Sequence, residues 1–95
     1  MSNYGSVQIG ARLRALRLAK GIKTQGLMAK MISSDTNRYN NWETGFHLLP
    51  VPFAIKICAI TGSTLDYIYR GDKSGLPLGL ATSIDDQQSA EKKTD

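Results

Sequence analysis

The sequence predicts an all-α domain of five short helices followed by a flexible tail, on three observations. Apolar residues recur at three- and four-residue spacing through successive segments, the period of a helix with one buried stripe. Gly21, Gly45 and Gly62 fall where those stripes stop, the position for a left-handed residue that ends a helix. Capping residues stand just ahead of three stripes: Thr24, Asp35 and Ser63. With 95 residues and 41% hydrophobic content, the chain has room for one domain with a modest core. The expected organisation is a flexible N-terminus over 1–6, a helical domain over 7–71, an extension for packing or dimerisation over 72–82 and a disordered tail over 83–95.

The first helix is predicted from about Val7 to Lys20, with Ile9, Leu13 and Leu16 on one stripe and Arg12, Arg14 and Lys20 mostly outside it. Thr24 caps a second helix, Gln25 to Ile32, whose apolar side is Met28, Met31 and Ile32. The methionines there read as core filler. Pro50 and Pro52 stiffen the connector after Gly45, and Pro52 suits the first turn of a fourth helix ending near Thr61. That helix carries Phe53, Ile57 and Ile60 on one stripe. Ser63 and Asp66 form a candidate capping box for a fifth helix, Thr64 to Tyr69, with Leu65 and Ile68 inward. From Gly71 the chain turns glycine-rich and then polar, and Ser83 to Asp95 has the composition of a disordered segment.

The third helix, within Asp35 to Gly45, has two unlike faces. At 100° per residue, Tyr39 and Trp42 lie roughly 60° apart on one side, while Thr36, Asn37, Asn40, Asn41 and Thr44 fill an arc of about 140° on the other. The aromatics are expected inside and the amides outside. Asparagine is a poor helix former, so three of them call for a reason beyond local stability. An Asn amide offers donor and acceptor side by side, the pattern that pairs with the N6 and N7 edge of adenine in the DNA major groove. The plain alternative is a solvated helix with exposed amides. Only Ser33 and Ser34 separate the second helix from this segment. Two helices joined by so tight a turn, the second displaying polar side chains, are the ingredients of a helix-turn-helix.

Charge and composition narrow the function classes. The formal charge is +4, and it is uneven: seven Lys and Arg against two acids from Met1 to Gly45, then three Lys against five acids from Asp72 to Asp95. The basic half contains the Asn helix, and a basic segment attracts polyanions through counterion release. Cys58 is the single cysteine, which leaves no internal disulfide and no Cys-based zinc site. His47, also single, has no ligand partners near it in sequence. Neither residue belongs to an acid–base pair or an activated nucleophile, so no enzyme, cofactor or metal is expected. No apolar run reaches the ~20 residues of a membrane span, and Met1 to Gly10 lacks the basic-then-apolar order of a signal peptide. A cytoplasmic protein with no membrane contact is the expectation.

In register, the chain resembles the Cro/CI-like (Xre-type) helix-turn-helix family of bacterial and phage transcriptional regulators. The residues that carry the resemblance are Ile9-Gly10, Leu13, Leu16-Arg17, Gly21, Thr24-Gln25, Met28-Ala29, Trp42-Glu43-x-Gly45, Pro50 and Leu65 to Gly71. The resemblance implies a lambda-repressor-like fold with helices two and three as the DNA-binding pair. It implies base reading or flanking contacts by Thr36, Asn37, Asn40 and Asn41, and a backbone contact by Gln25, which also braces Thr36. It further implies a salt bridge between Arg17 and Glu43. Three departures from the family pattern are the link Gly21 to Gln25, one residue longer than the commonest form, Ser33, where glycine is usual, and Leu27, where a charged residue is common.

Phosphate contacts are expected from Arg38 and the backbone amides that open helices two and three, with Lys23, Thr44 and His47 as further candidates. The core is expected to contain Leu13, Leu16, Met28, Ile32, Tyr39, Trp42, Ile57, Leu65 and Ile68. The resulting expectation is a sequence-specific regulator of transcription, a repressor, binding double-stranded DNA as a homodimer on an inverted repeat. Helix five and the segment Gly75 to Leu80 are the expected dimer surface, unless that segment packs on its own core. The rival is an antitoxin or adaptor built on a helix-turn-helix, with Leu27 and the tail engaging a protein partner.

Overall fold

The computed structural model describes residues 5–93, with side chains through residue 87. Of the expected flexible N-terminus, residues 1–4 lie outside the described residues, as do 94–95 of the expected tail. Six helices and no strand are present among the described residues: α1 (Ser6–Ala19), α2 (Gln25–Met31), α3 (Thr36–Thr44), α4 (Val51–Thr61), α5 (Leu65–Arg70) and α6 (Leu78–Lys93). The chain is all-helical, and the expected count of five falls short by α6.

The local chemistry of the termini explains the boundaries. Thr24 Oγ1 accepts from the Leu27 amide at 3.1 Å, and Asp35 Oδ1 accepts from the Arg38 amide at 2.8 Å, each filling one orphan donor of a first turn. The cap of α5 differs from the expected Ser63–Asp66 box: Thr64 Oγ1 accepts from the Tyr67 amide at 3.0 Å. Ser63 is buried, its Oγ donating to the Thr64 carbonyl, while Asp66 pairs with Arg70 across the surface. Gly45 ends α3 at φ +83°, and an added Cβ there would lie 2.6 Å from Val7 Cα. Both its backbone conformation and the approach of α1 therefore require glycine.

Helix α1 is the centre of the packing, touching α3, α5 and α6, while α2 packs on α3 and α4 on α5. Ile9, Leu13 and Leu16 meet Met28, Ile32, Tyr39, Trp42, Ile57 and Ile68 in one core. At Gly10 any Cβ would collide with the carbonyl oxygens of Trp42 and Glu43, so α1 lies against the end of α3 backbone to backbone. Arg12, expected outside the apolar stripe, is buried, and its Nη1 donates to the Ile68 carbonyl at 3.0 Å. It thereby satisfies an orphan carbonyl near the end of α5. Two expected core positions are exposed instead. Leu65 is 39% accessible and Met31 46%, because α5 and α2 are too short to bury more than one narrow face.

The segment 83–95, expected to be a disordered tail, is helical through Lys93. Leu76, Leu80 and Ile84 repeat at four-residue spacing and are all buried in the common core, Ile84 completely. Lys73 Nζ reaches Asp85 at 2.6 Å and joins the preceding loop to the helix. Tyr67 lies below with its hydroxyl buried and unpartnered, and burial pushes its pKa up to about 12. Asp85 and Asp86 lie on the exposed face of this helix, and Ile84 supplies the inward one.

Ser33 opens the turn between α2 and α3 at φ +59°, the one described non-glycine residue with positive φ. A left-handed conformation costs a residue with a Cβ about 1 kcal/mol relative to glycine. Ser33→Gly is therefore expected to raise stability by about 0.5–1 kcal/mol in urea unfolding, and a loss of stability would show that the serine hydroxyl supports the turn. Ile84→Ala is expected to cost about 2–4 kcal/mol in the same measurement; a change within 0.5 kcal/mol would mean that α6 does not dock in solution.

Candidate nucleic-acid interface

Helix α3 is held from behind by two rings and one carboxylate. Tyr39, Trp42 and Glu43 are its buried residues. Tyr39 and Trp42 meet edge to face, with centroids 6.3 Å apart, and Trp42 also packs on Phe53 of α4 at 4.9 Å. The opposite side carries Thr36, Asn37 and Thr44 in solvent, with Asn40 and Asn41 half-buried. No side-chain hydrogen bond within the described residues involves any of the three asparagines.

Glu43 anchors the far end of the helix. Arg17 Nε donates to Glu43 Oε2 at 2.7 Å and Arg17 Nη2 to Oε1 at 3.3 Å, a two-armed pair inside the protein. A third arm of Arg17 donates to the Ile22 carbonyl at 3.0 Å, which ties in the link before α2. Burial works against the Arg17 charge, yet hydrogen bonding and attraction from Glu43 outweigh it and raise its pKa. The Tyr39 hydroxyl lies beside this pair, buried and without a hydrogen-bond partner; burial first and the Glu43 charge second raise its pKa.

Gln25 departs from one part of the role that the resemblance implied, the bracing of Thr36. Its Nε2 donates to Glu43 Oε1 at 3.1 Å, so the amide extends the Arg17–Glu43 cluster rather than bracing Thr36. Gly26 is the residue of α2 beside Thr36, where a Cβ would lie 3.3 Å from Thr36 Oγ1. The Thr44 hydroxyl donates back to the Asn41 carbonyl at 3.3 Å, and the His47 amide donates to the same carbonyl at 3.1 Å. The His47 ring is exposed and tilts against Phe46 at 4.6 Å. Lys23 is exposed at the end of the link, just before the Thr24 cap of α2.

No family model, characterised protein or solved structure matches this chain. The interface is accordingly read from its own geometry.

Arg38 lies next to the amide row, on the side facing α4. Its guanidinium stacks 5.7 Å from the Trp42 ring and 5.4 Å from the Phe53 ring. Lys56 of α4 sits 5.1 Å from the same Phe53 ring and donates to the Ile32 carbonyl at 3.3 Å. Sequence reasoning singled out Arg38 and missed this arrangement with Phe53 and Lys56. The signal was an isolated Lys on an otherwise apolar helix, which gains meaning only once α3 and α4 are side by side.

Chemically, the region displays amide donors and acceptors with cations at the edge, an arrangement suited to base edges and phosphates. Among the described residues no group of three His, Cys, Asp or Glu is placed to hold a metal ion. A surface depression of about 330 Å³ between Lys20, Thr61, Pro77 and Ser83 takes no lining residue from α2 or α3.

Removing the charge of Glu43 leaves Arg17 ionised and buried. Glu43→Gln is expected to cost about 3 kcal/mol of unfolding free energy, because a buried ion without its counter-ion loses its compensation. A loss below 1 kcal/mol in urea titration would show that water reaches the pair.

Proposed function

We propose that this protein binds double-stranded DNA in a sequence-specific manner and regulates transcription, acting as a repressor. In this reading α2, the turn at Ser33 and α3 form a helix-turn-helix, and α3 enters the major groove with Thr36, Asn37, Asn40 and Asn41 toward the base edges. One observation carries it: a row of three amides, Asn37 exposed and Asn40 and Asn41 half-buried, on a helix whose opposite face is fixed by buried Tyr39, Trp42 and Glu43. A side chain reads a base only when its helix is rigidly placed, and this helix is fixed at both ends. Arg38 and Lys23 supply phosphate contacts at the edges of the row, with the His47 ring as a further donor.

The proposed form is a cytoplasmic homodimer on an inverted repeat. The domain measures 29 × 28 × 27 Å, so two copies side by side suit half-sites about 34 Å apart. The segment Gly75 to Leu80, first expected at the dimer surface, has Leu76 and Leu80 buried in its own core. Phe46, Leu48, Val51 and Ile55, close in sequence and each more than half exposed, are the apolar residues proposed to meet a second copy.

A second reading is favoured by Leu27 and Met31, which stand one turn apart and exposed on α2. An antitoxin or adaptor would use such a pair to hold a protein partner. The two readings separate on whether the purified chain alone shifts any duplex.

Selection of bound fragments from random duplexes is expected to return an inverted repeat; recovery of no enriched sequence would overturn the reading. On the selected site, Asn40→Ala and Asn41→Ala are each expected to cost about 1–3 kcal/mol of binding free energy with unchanged helical content. Equal discrimination between cognate and scrambled duplex in both variants would remove the asparagines from base reading.

A further inference from the structure

We propose that Arg38, Phe53 and Lys56 form a phosphate seat that takes the phosphodiester backbone flanking the amide row, with Lys56 as a contact residue in its own right. This inference rests on the DNA-binding reading and adds to it where the flanking strand runs: across the groove between α3 and α4. The other cations with assigned partners are spent within the fold. Arg12 is bonded to the Ile68 carbonyl, Arg17 to Glu43, Arg70 to Asp66 and Lys73 to Asp85. Arg38 and Lys56 have no carboxylate partner among the described residues, and both rest on one ring.

That ring is what makes the pair a site. The aromatic face attracts both cations and restricts where they sit, so less freedom is lost when an anion arrives. Trp42, packed beside Phe53 and under Arg38, completes a floor that is itself part of the core. The Lys56 ammonium has three donors and gives one to the Ile32 carbonyl, leaving two for a ligand. The guanidinium of Arg38 brings five. The Asp35 carboxylate, the nearest acid along α3, accepts from the Arg38 amide at 2.8 Å and is thereby occupied by the helix start. Two cations with this many donors left suit phosphate oxygens. Their position lateral to Asn37 and Asn41 places two neighbouring phosphates, one to each cation, on the strand beside the bases being read.

The test uses the whole chain and two probes. Duplex affinity is measured between 50 and 200 mM salt for wild type, Arg38→Gln, Lys56→Gln, the double variant and Lys20→Gln, a control outside the seat. Circular dichroism checks the helical content of each. Each seat variant is expected to make the plot of log K against log salt shallower by about 0.9, and the double variant by about 1.8, with Lys20→Gln near wild type. Independently, inorganic pyrophosphate is titrated against the emission of Trp42, the single tryptophan of the chain. An emission change in wild type that is lost in Arg38→Gln and Lys56→Gln supports the seat. Duplex binding with an unaltered slope in Lys56→Gln overturns the seat and leaves the DNA-binding reading intact. A wild type that responds to pyrophosphate but binds no duplex supports the anion seat and overturns its assignment to DNA.

Discussion

The buried pair of Arg17 and Glu43 is the constraint on which the placement of α3 depends. An ion pair taken out of water contributes little net stability, since its attraction is offset by lost hydration, but it tolerates very few geometries. Here the guanidinium is committed three ways: to both carboxylate oxygens and to the Ile22 carbonyl. The carboxylate also accepts from Gln25. One cluster therefore fixes α1, the link after it, the start of α2 and the end of α3 relative to one another. The contact at Gly10 strengthens this constraint, because α1 can reach the α3 carbonyls only where there is no side chain.

With that end fixed, the aromatic residues set the rotation of α3. Tyr39 and Trp42 fill the space between α1 and α4, which turns the amide arc outward as a consequence of packing. Charge is divided on the same plan. Cations that hold the fold together are buried or tied to acids and carbonyls, while Lys23, Arg38 and Lys56 remain at the surface near α2, α3 and α4. A basic segment without this division would attract polyanions but give them no orientation.

The helices themselves were largely legible in the sequence, for local reasons. Thr24, Asp35, Gly45 and Gly62 act through their own backbone neighbourhood, and each ended or began a helix within a residue of the expected place. Errors arose where burial depends on a distant element. Leu65 looked inward by spacing but faces solvent, because nothing packs on that side of a six-residue helix. Arg12 looked outward by charge but is buried, because the α5 carbonyl end needs a donor. The tail looked disordered by composition, but Leu76, Leu80 and Ile84 find an open flank of α1.

For the candidate interface, the sequence by itself determined the two-faced character of α3, since helical geometry alone separates Tyr39 and Trp42 from the asparagines. It also determined the helix ends and the uneven charge, which follow from residue chemistry and counting. Tertiary structure decided which long polar side chains join the fold and which remain available. Gln25 turned to Glu43, Arg12 to the Ile68 carbonyl and Lys56 to the Ile32 carbonyl, and none of these partners is near in sequence. The physical reason is reach: a cap acts within four residues, whereas a flexible cation or amide is settled by whatever acceptor or ring the packing brings within hydrogen-bonding or stacking distance.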